Sequence, residues 1–510
     1  MSQKNKVVVS AIFDYIIEAD GKFNYQQNQN FELVSDASVK LVLISASQDR
    51  AYFLTNATGD KLSIGAEIVP STKQDTVYTS LEHFGKILDI HGNVLYPAGK
   101  QQSVKYLEQT SLPFNKPNFL MDYQPLKEQL KTGYVLVDMF TPIGKGQRQL
   151  ILGDRKTGKS FIALNAIINQ KGENVKCIYV SIGQQHTQVS EVYDFLKKHD
   201  ALDYTMIVSA PANNPYTQFL APYIGMAHAE NLSKDHDVLI VFDDLTNHAN
   251  IYREIALLTN KSVGKEAFPG DMFFAHSRLL ERSGKFKNRK TITALPILQT
   301  VENDITSLVA SNVISITDGQ LVTNTDIFAN GKLPAIDVEL SVSRIGGQVT
   351  KPYMSRPIRE IGKLYKSFKK QTKLASLKYD LNEETNTLIR NGLLIEGMFT
   401  QKGASYYHEH TMFMTSKLIT WNILKDVNNI ALALKFIDAL IQVDPVSKNA
   451  YELMMNNQEV DDEAVGAYFA FVTKQFAQEF NLDWNITTTR DFVKLSKENM
   501  AKIVSLIEEK

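Results

Sequence analysis

The sequence predicts three domains of different fold class: an N-terminal β-barrel, a central α/β domain around a parallel sheet, and a C-terminal α-helical bundle. The first reason is length, because 510 residues exceed what one hydrophobic core accommodates. The second is the hydrophobic pattern, which changes along the chain from short β-type runs to strands alternating with helices, and then to helices alone. The third is composition, since 44% hydrophobic and 22% charged residues are typical of globular domains.

Residues 1–74 are predicted to form the barrel. Two stretches are rich in β-branched and aromatic residues, "KVVVSAIFDYIIEADGKF" and "VKLVLISASQDRAYFL". The segments "ADGK" and "ATGDK" supply turn residues between such runs. Several short strands joined by tight turns favour a small closed sheet.

Residues 75–350 are predicted to form the α/β domain. Five apolar segments separated by helical stretches are interpreted as strands: "QLIL", "CIYV", "TMIVSA", "VLIVF" and "NVISIT". Almost uninterrupted apolar strands indicate a parallel sheet that helices cover on both faces.

Residues 351–510 are predicted to be helical. Phe469, Val472, Phe476 and Phe480 recur at the three- and four-residue spacing of one helix face. A second helical run, "IALALKFIDALIQVDP", is expected to stop at Pro445.

Charge and cysteine content limit the possible functions. The formal net charge of −1, from 55 basic and 56 acidic residues, disfavours a general nucleic-acid binder. The single cysteine, Cys177, lies in an apolar run and is expected to be a small buried hydrophobe in a reducing, cytoplasmic setting. No signal peptide and no apolar run long enough to span a bilayer are recognised, so membrane association is expected only through partners.

The segment "GDRKTGKS" matches the P-loop pattern G-x-x-x-x-G-K-[ST]. In such loops backbone N–H groups surround phosphate oxygens, the lysine reaches the outer phosphates and the hydroxyl binds Mg²⁺. A glycine turn beside a solvated lysine is the plain alternative, but a strand precedes this loop and a helix follows it. The predicted nucleotide contacts are Gly153, Asp154, Arg155, Lys156, Thr157, Gly158, Lys159, Ser160 and Phe161.

The segment "DVLIVFDDL" predicts the second half of this site. Asp243 ends an apolar strand, where a carboxylate orders Mg²⁺ through bound water. A strand that ends in Asp-Asp is by itself often only a turn. Together with the P-loop, Ser160 and Asp243 are predicted to be the metal ligands.

Four long segments resemble the alpha subunits of rotary F-type ATP synthases: "PIGKGQRQLILGDRKTGKS", "KEAFPGDMFFAHSRLLER", "NVISITDGQ" and "PAIDVELSVSRIGG". The resemblance is dense from about Phe84 to Gly347 and looser in both flanks. It implies a RecA-like central domain that binds ATP or ADP with Mg²⁺. It further implies an alternating hexamer with catalytic beta-type subunits around a gamma-like shaft, peripheral at the inner face of the membrane.

Two residues bear on catalysis. The strand that ends in Gly-Glu in catalytic beta subunits ends here in Gly183 and Gln184, and an amide cannot accept the proton of the attacking water. The resemblance therefore implies a site that binds nucleotide and barely turns it over. It also implies that Arg344, in "SVSR", is an arginine finger for the neighbouring catalytic site.

The sequence departs from the family in several places. Lys156 stands where a glutamine is usual, and Phe161 replaces a small or hydroxylated residue. Phe328 and Pro334 match apolar positions around the adenine, and Gln401 is the candidate for one of two expected glutamines. Leu333 stands where arginine is common, which puts the base preference in doubt.

The N-terminal flank also departs, because the chain enters its first β-run without the usual helical extension. With its Asn-, Lys- and Ile-rich composition, this resembles divergent F-type-like ATPases of mycoplasmas, some of which drive gliding motility rather than ATP synthesis. The direction of ATP flux is not determined by this chain.

Three other functions remain as alternatives. An autonomous P-loop ATPase would need a catalytic base that the sequence does not offer. A Rho-like hexameric nucleic-acid motor is opposed by the neutral charge and the long helical C-terminal region. A V-type non-catalytic subunit generally lacks an intact P-loop.

His408 and His410 in "YYHEHT" lack the spacing of a zinc protease, so a polar or interface role is expected there.

Overall fold

The computed structural model describes residues 6–57, 61–71, 76–98, 104–375, 383–456 and 458–508. The chain divides into two compact units. Unit 1 comprises Met1–Leu130, Gly144–Thr325 and Asp337–Ile345, and unit 2 comprises Lys131–Ile143, Asp326–Ile336 and Gly346–Lys510. The three-domain division at 74/75 and 350/351 stays a prediction, and its first boundary lies outside the described residues.

Unit 1 begins with a closed six-stranded barrel in the order β1-β2-β5-β4-β3-β6. Its alternating inward side chains meet in a small core, where the rings of Phe31 and Phe53 lie 4.9 Å apart. Asp14, at a φ of 55°, turns the chain between the first two strands, and part of the predicted turn "ATGDK" lies outside the described residues. The barrel strands are β1 (Val7–Phe13), β2 (Ile16–Asp20), β3 (Asn30–Leu33), β4 (Lys40–Ala46), β5 (Arg50–Thr55) and β6 (Glu67–Pro70).

A nine-stranded sheet follows, in the order β19-β18-β13-β17-β16-β14-β15-β8-β9. Its seven central strands, from β18 to β8, are parallel, whereas β19 and β9 pair antiparallel at the edges. The remaining strands of the chain are β7 (Val77–Tyr78), β8 (Ile87–Leu88), β9 (Val94–Tyr96), β10 (Thr110–Ser111), β11 (Gln129–Leu130), β12 (Ile143–Gly144), β13 (Leu150–Gly153), β14 (Val175–Gln184), β15 (Thr205–Pro211), β16 (Asp237–Asp243), β17 (Ile292–Gln299), β18 (Gly319–Val322) and β19 (Val342–Ser343).

Helices cover the parallel strands because these strands are apolar on both faces. The most enclosed helix is α4, which approaches β14 so closely at Gly225 that a Cβ there would overlap Val180. The first helices of the chain are α1 (Val135–Phe140), α2 (Lys159–Ile168), α3 (His186–Lys198), α4 (Pro215–Leu232), α5 (Leu245–Leu258), α6 (Met272–Leu280), α7 (Leu308–Ile316), α8 (Thr325–Ala329) and α9 (Gly346–Val349).

The prediction of a strand at "NVISIT" is wrong. The first five of these residues belong to α7 and Thr317 is its C-cap, and the strand β18 begins only at Gly319. Val309, Ala310 and Val313 form the buried stripe of this helix. Packing of that stripe overrides the β-propensity of the valine and isoleucines, which a short apolar run cannot reveal.

Unit 2 is helical, as predicted for the C-terminal region. Phe469, Val472 and Phe476 form the buried stripe of α15, and α13 ends just before Pro445, which starts α14. None of the helices in the described part of the chain is long and apolar enough to cross a membrane. The remaining helices are α10 (Pro352–Ala375), α11 (Glu383–Phe399), α12 (Glu409–Thr420), α13 (Ile430–Val443), α14 (Pro445–Met455), α15 (Asp462–Glu479) and α16 (Lys497–Glu508).

Candidate nucleotide-binding site

The P-loop connects β13 to α2 at the carboxyl edge of the parallel sheet. Gly153 and Gly158 have φ values of 153° and 88°, which only glycine adopts without strain. A Cβ on Gly153 would overlap both the backbone and the side chain of Thr323. Gly158 is the N-cap of α2, so the free N–H groups of the helix point toward the loop.

The loop is fixed from beneath by its own aspartate. The carboxylate of Asp154 accepts hydrogen bonds from the Thr300 hydroxyl at 2.7 Å and from the backbone N–H of Asn303 at 2.9 Å. Burial opposes ionisation, but these hydrogen bonds outweigh it and lower the pKa of Asp154. Thr157 adds a second anchor, because its hydroxyl lies 2.6 Å from that of Thr323. Asp154 and Thr157 therefore shape the loop, while Arg155 and Lys156 are exposed above it.

Lys159 is the buried cation of this loop. Its side-chain amine donates to the carbonyl of Asp154 at 2.6 Å, and the residue is only 8% exposed. Burial lowers the pKa of Lys159, and the carboxylates of Asp244, Asp243 and Asp154 counteract that shift. The amine is thus held where phosphate charge would compensate for its lost hydration.

Asp243 ends β16 within the same carboxyl edge. It is 3% exposed and accepts a hydrogen bond from the Tyr179 hydroxyl of β14. Burial and the neighbouring carboxylate of Asp243 raise the pKa of Tyr179, so this phenol stays protonated and donates to Asp243. The Gln184 side chain opposes part of this rise in the pKa of Tyr179. Asp243 and Gln184 therefore both act on the Tyr179 hydroxyl.

Asp244 places a second carboxylate beside the first. Its side chain caps α5 by accepting from the backbone N–H of Asn247 at 3.0 Å. Burial, followed by the charge of Asp243, raises the pKa of Asp244 to about 7. Two buried carboxylates side by side are unfavourable unless a cation lies between or beside them.

No carboxylate replaces Gln184 at the end of β14. Gly183, at a φ of 68°, leads into Gln184, and the backbone continues into α3. Glu191, the nearest acid in this segment, is exposed on α3. Gln184 pairs with Pro211 of β15, just after a shift in the register of the two strands at Gly183.

The remaining predicted nucleotide contacts are more scattered. Phe161 of α2 packs edge-to-face on Phe195 of α3, with ring centroids 5.2 Å apart. Phe328, which is 41% exposed, and Pro334 and Gln401 belong to unit 2. The Gln401 amide is engaged with backbone, since Oε1 accepts from Val135 N at 2.7 Å and Nε2 donates to Gly133 O at 2.9 Å. A role for these residues at an adenine stays a prediction.

Arg344 lies far from its own P-loop. Its backbone N–H donates to the carbonyl of Asp318 at 2.9 Å, just before β18 begins, and its guanidinium donates to the carbonyl of Thr317 at 3.2 Å. The P-loop end of the sheet is level with Thr323, which follows β18 directly and lies five residues after Asp318. At about 3.3 Å per residue, roughly 16 Å separates the two levels. Arg344 is exposed, and in the described part of the chain it pairs with no acidic side chain.

Sequence reasoning missed several residues of this site. Tyr179 lies in an apolar strand, and its position alone does not indicate a polar role. Thr300 and Thr323, which anchor the loop, are distant from it in sequence. Asp244 was visible as the second aspartate of "DDL", but its burial depends on packing. The prediction that Cys177 is a buried hydrophobe is confirmed, since its thiol is fully buried and burial raises its pKa.

The fold and site define a nucleotide-binding P-loop protein with a barrel before, and helices after, its parallel sheet. A model of the nucleotide-binding domain of the ATP synthase alpha/beta family matches residues 133–343. The chain is 42% identical over 466 residues to ATP synthase subunit alpha 2 of Mycoplasmopsis pulmonis, covering 90% of each protein.

Two further relatives agree with this match. Identity is 40% over 399 residues to ATP synthase subunit alpha 1 of Listeria monocytogenes, covering 77% of this chain and 79% of the relative. Identity is 38% over 376 residues to ATP synthase subunit alpha of Mesomycoplasma hyopneumoniae, covering 72% of this chain and 74% of that relative. The chain belongs to the ATP synthase alpha/beta family and, within it, to the F-type alpha subunits.

Proposed function

We propose that this chain is the non-catalytic, ATP-binding alpha-type subunit of an F-type rotary ATPase ring and supplies Arg344 to a catalytic site on a neighbouring beta-type subunit. The ring would alternate the two subunit types around a gamma-like shaft, and lie peripherally at the inner face of the cell membrane. The relatives named as ATP synthase alpha subunits support this assembly.

The observation that carries the proposal is the separation of Arg344 from its own P-loop. Arg344 bonds the backbone at Asp318, just before β18, whereas the P-loop is level with Thr323, just after β18 and roughly 16 Å further along. That distance is beyond the reach of one arginine side chain, so Arg344 cannot serve nucleotide bound to Lys159 of its own chain. Its exposed guanidinium is available to a neighbour instead, where a planar fixed charge suits developing phosphoryl charge.

The site of this chain itself favours binding over hydrolysis. Gln184 stands at the end of β14, where its amide has no basicity to accept a proton. The buried acids that remain are engaged, Asp243 with Tyr179 and Asp244 with the N-terminus of α5. Glu191 is exposed on a helix and is not aimed into the site by any described contact.

Mg²⁺ fits the groups at this site. The Ser160 hydroxyl and the Asp243 carboxylate are hard oxygen donors of the kind Mg²⁺ prefers. The raised pKa of Asp244, caused by burial and then by Asp243, marks a local excess of negative charge that a cation would relieve. A bound Mg²⁺ would neutralise phosphate charge, while Lys159 and the N–H groups of the P-loop hold the phosphates themselves.

The test is Mg-ATP turnover of the purified complex, comparing wild type with Arg344→Ala. We expect a loss of about 10³-fold or more with the ring intact by native mass. Arg50→Ala in the barrel is the matched control, because its arginine is also exposed and pairs with Glu18 and Asp20 of its own barrel. Near-normal turnover of Arg344→Ala would refute the finger.

The isolated chain separates the two halves of the proposal. It should bind Mg-ATP without measurable turnover, and Arg344→Ala should leave that affinity unchanged, whereas Lys159→Ala should abolish it. Turnover by the isolated chain would instead indicate an autonomous ATPase. Stimulation by nucleic acid would indicate a Rho-like motor. A motility role of the ring remains a hypothesis from sequence resemblance alone.

A further inference from the structure

Unit 2 contains a cluster of potential metal ligands far from the P-loop in sequence. His408 Nδ1 and His410 Nε2 each lie 2.8 Å from the same oxygen, Oδ1 of Asp438. The three ligand atoms are all within 4.8 Å of one another. Two imidazoles and one carboxylate that converge on one point are a ligand set typical of zinc sites.

The fold makes this cluster from residues that no local spacing connects. His408 is the N-cap of α12 and His410 lies in its first turn, so the two rings stack with centroids 5.0 Å apart. They converge because one presents Nδ1 and the other Nε2. Asp438 comes from the middle of α13, 28 residues after His410. A metal ion held by all three would therefore join the start of α12 to α13.

The carboxylate of Asp438 is oriented by neighbours that are not themselves ligands. The Thr411 hydroxyl donates to Oδ1, and the Gln442 amide donates to Oδ2 at 2.9 Å. Metal-binding carboxylates are commonly fixed in this way by outer hydrogen bonds. Glu409, between the two histidines, is directed elsewhere, because it pairs with Lys351, just before α10, and with Tyr353 of α10.

An adjacent cavity of about 380 Å³ gives access to the cluster. His408, Thr411 and Asp438 line it, so the cavity has room for a water molecule as a fourth ligand. The side chain of Asp438 is only 7% exposed, whereas that of His408 is 34% exposed and provides the entry side. Lys435 also lines the cavity, but its amine is 3.5 Å from the carbonyl of Ile507 at the end of α16.

We propose that His408, His410 and Asp438 bind a divalent transition-metal ion, with Zn²⁺ as the preferred ion and water in the fourth position. Imidazole ligands favour Zn²⁺ over Mg²⁺ and Ca²⁺. At metal–ligand distances of about 2.0–2.2 Å, tetrahedral ligands lie roughly 3.4 Å apart. Binding therefore requires the imidazole–carboxylate contacts to open by roughly half an ångström, which rotation of the side chains can supply. A bound ion would join the start of α12 to α13 within unit 2.

The test is calorimetric titration of the tag-free, chelator-treated full chain with Zn²⁺ in the absence of nucleotide. We expect one tight site per chain, and Co²⁺ in its place should give the intense visible absorption of tetrahedral cobalt with nitrogen ligands. His410→Gln and His408→Gln should each weaken binding by at least ~10-fold and remove the cobalt spectrum. His186→Gln, which changes an exposed histidine on α3, is the matched control and should bind as wild type does.

The outcomes separate this site from the acidic pair at the P-loop. Absence of a stoichiometric Zn²⁺ site in the wild type would overturn the proposal, as would undiminished binding by His410→Gln. A cobalt spectrum typical of oxygen ligands alone, retained in both variants, would also overturn it by assigning the metal elsewhere. Far-UV circular dichroism checks folding, and if one variant fails to fold, the other decides.

Discussion

Replacing Arg282 by methionine should destabilise unit 1 more than any surface substitution. The Arg282 side chain is completely buried and forms a two-pronged ion pair with Glu230, at 3.0 Å from Nε and 2.8 Å from Nη2. Its third nitrogen, Nη1, donates to the carbonyl of Pro113 at 2.6 Å. One side chain thus connects the end of α6 to α4 and to the segment around residue 113.

The expected cost follows from what methionine leaves behind. The Glu230 carboxylate, only 4% exposed, would lose its charged partner and keep one neutral donor, the Asn115 amide at 3.1 Å. Breaking a buried ion pair from one side typically costs about 3–5 kcal/mol, because the remaining charge stays buried. We therefore expect about 4 kcal/mol, which corresponds to a fall in Tm of roughly 6 °C for a unit of this size.

The assay is thermal unfolding of the full chain by calorimetry in a double-mutant cycle with Glu230→Gln. The double variant should be clearly more stable than the sum of the two single losses predicts, because no charge is then stranded. Lys171→Ala is the control, since its ion pair with Asp200 is exposed on both sides and should contribute less than ~1 kcal/mol. A cost of Arg282→Met below 1 kcal/mol, or strictly additive single losses, would refute this reasoning.

Two further predictions concern the P-loop edge. Gly153→Ala should abolish nucleotide binding and destabilise the chain, because the added Cβ would overlap Thr323. Gly172→Ala is the control: Gly172 also has a positive φ, but its Cβ would meet open space, so the change should cost only about 1 kcal/mol of backbone strain. Equal effects of the two in equilibrium unfolding would contradict the steric explanation. Burial raises the pKa of Asp244 from 3.8 to about 7, so the folded state binds the proton more tightly than the unfolded state does. As pH rises from about 4 to about 7, Asp244 therefore makes the wild type less stable. Asp244→Asn should therefore gain stability relative to wild type between pH 4 and 8, by at most about 4 kcal/mol. A pH-independent difference in urea midpoints would show that Asp244 is not the group responsible.

Much of the site could be predicted because its chemistry is local in sequence. Gly153, Gly158 and Lys159 define a phosphate loop by spacing alone, and the strand before Asp243 is apolar enough to be recognised as buried. Parallel strands bring their carboxyl ends to one edge, so the proximity of loop and aspartate follows from the strand pattern. Gln184 was singled out by the family resemblance instead, and it is the last residue of β14.

The prediction at "NVISIT" failed for an equally physical reason. A short run with four apolar or β-branched residues out of six is compatible with a buried strand and with a buried helix. The contacts of Val309, Ala310 and Val313 decide in favour of the helix, and they depend on surfaces that the run itself does not contain.

The sequence by itself determined the order of barrel, parallel sheet and helices, the phosphate loop, and the neutral amide at Gln184. Only the tertiary structure decided that Arg344 lies at the opposite end of the sheet from its own loop, because strand direction and pairing register set that distance. Only the tertiary structure brought Asp438 to the two histidines, and Tyr179 to Asp243. Hydrogen-bonded and charged clusters of this kind arise from side chains on different elements, and the packing that unites them is a property of the whole chain rather than of any segment.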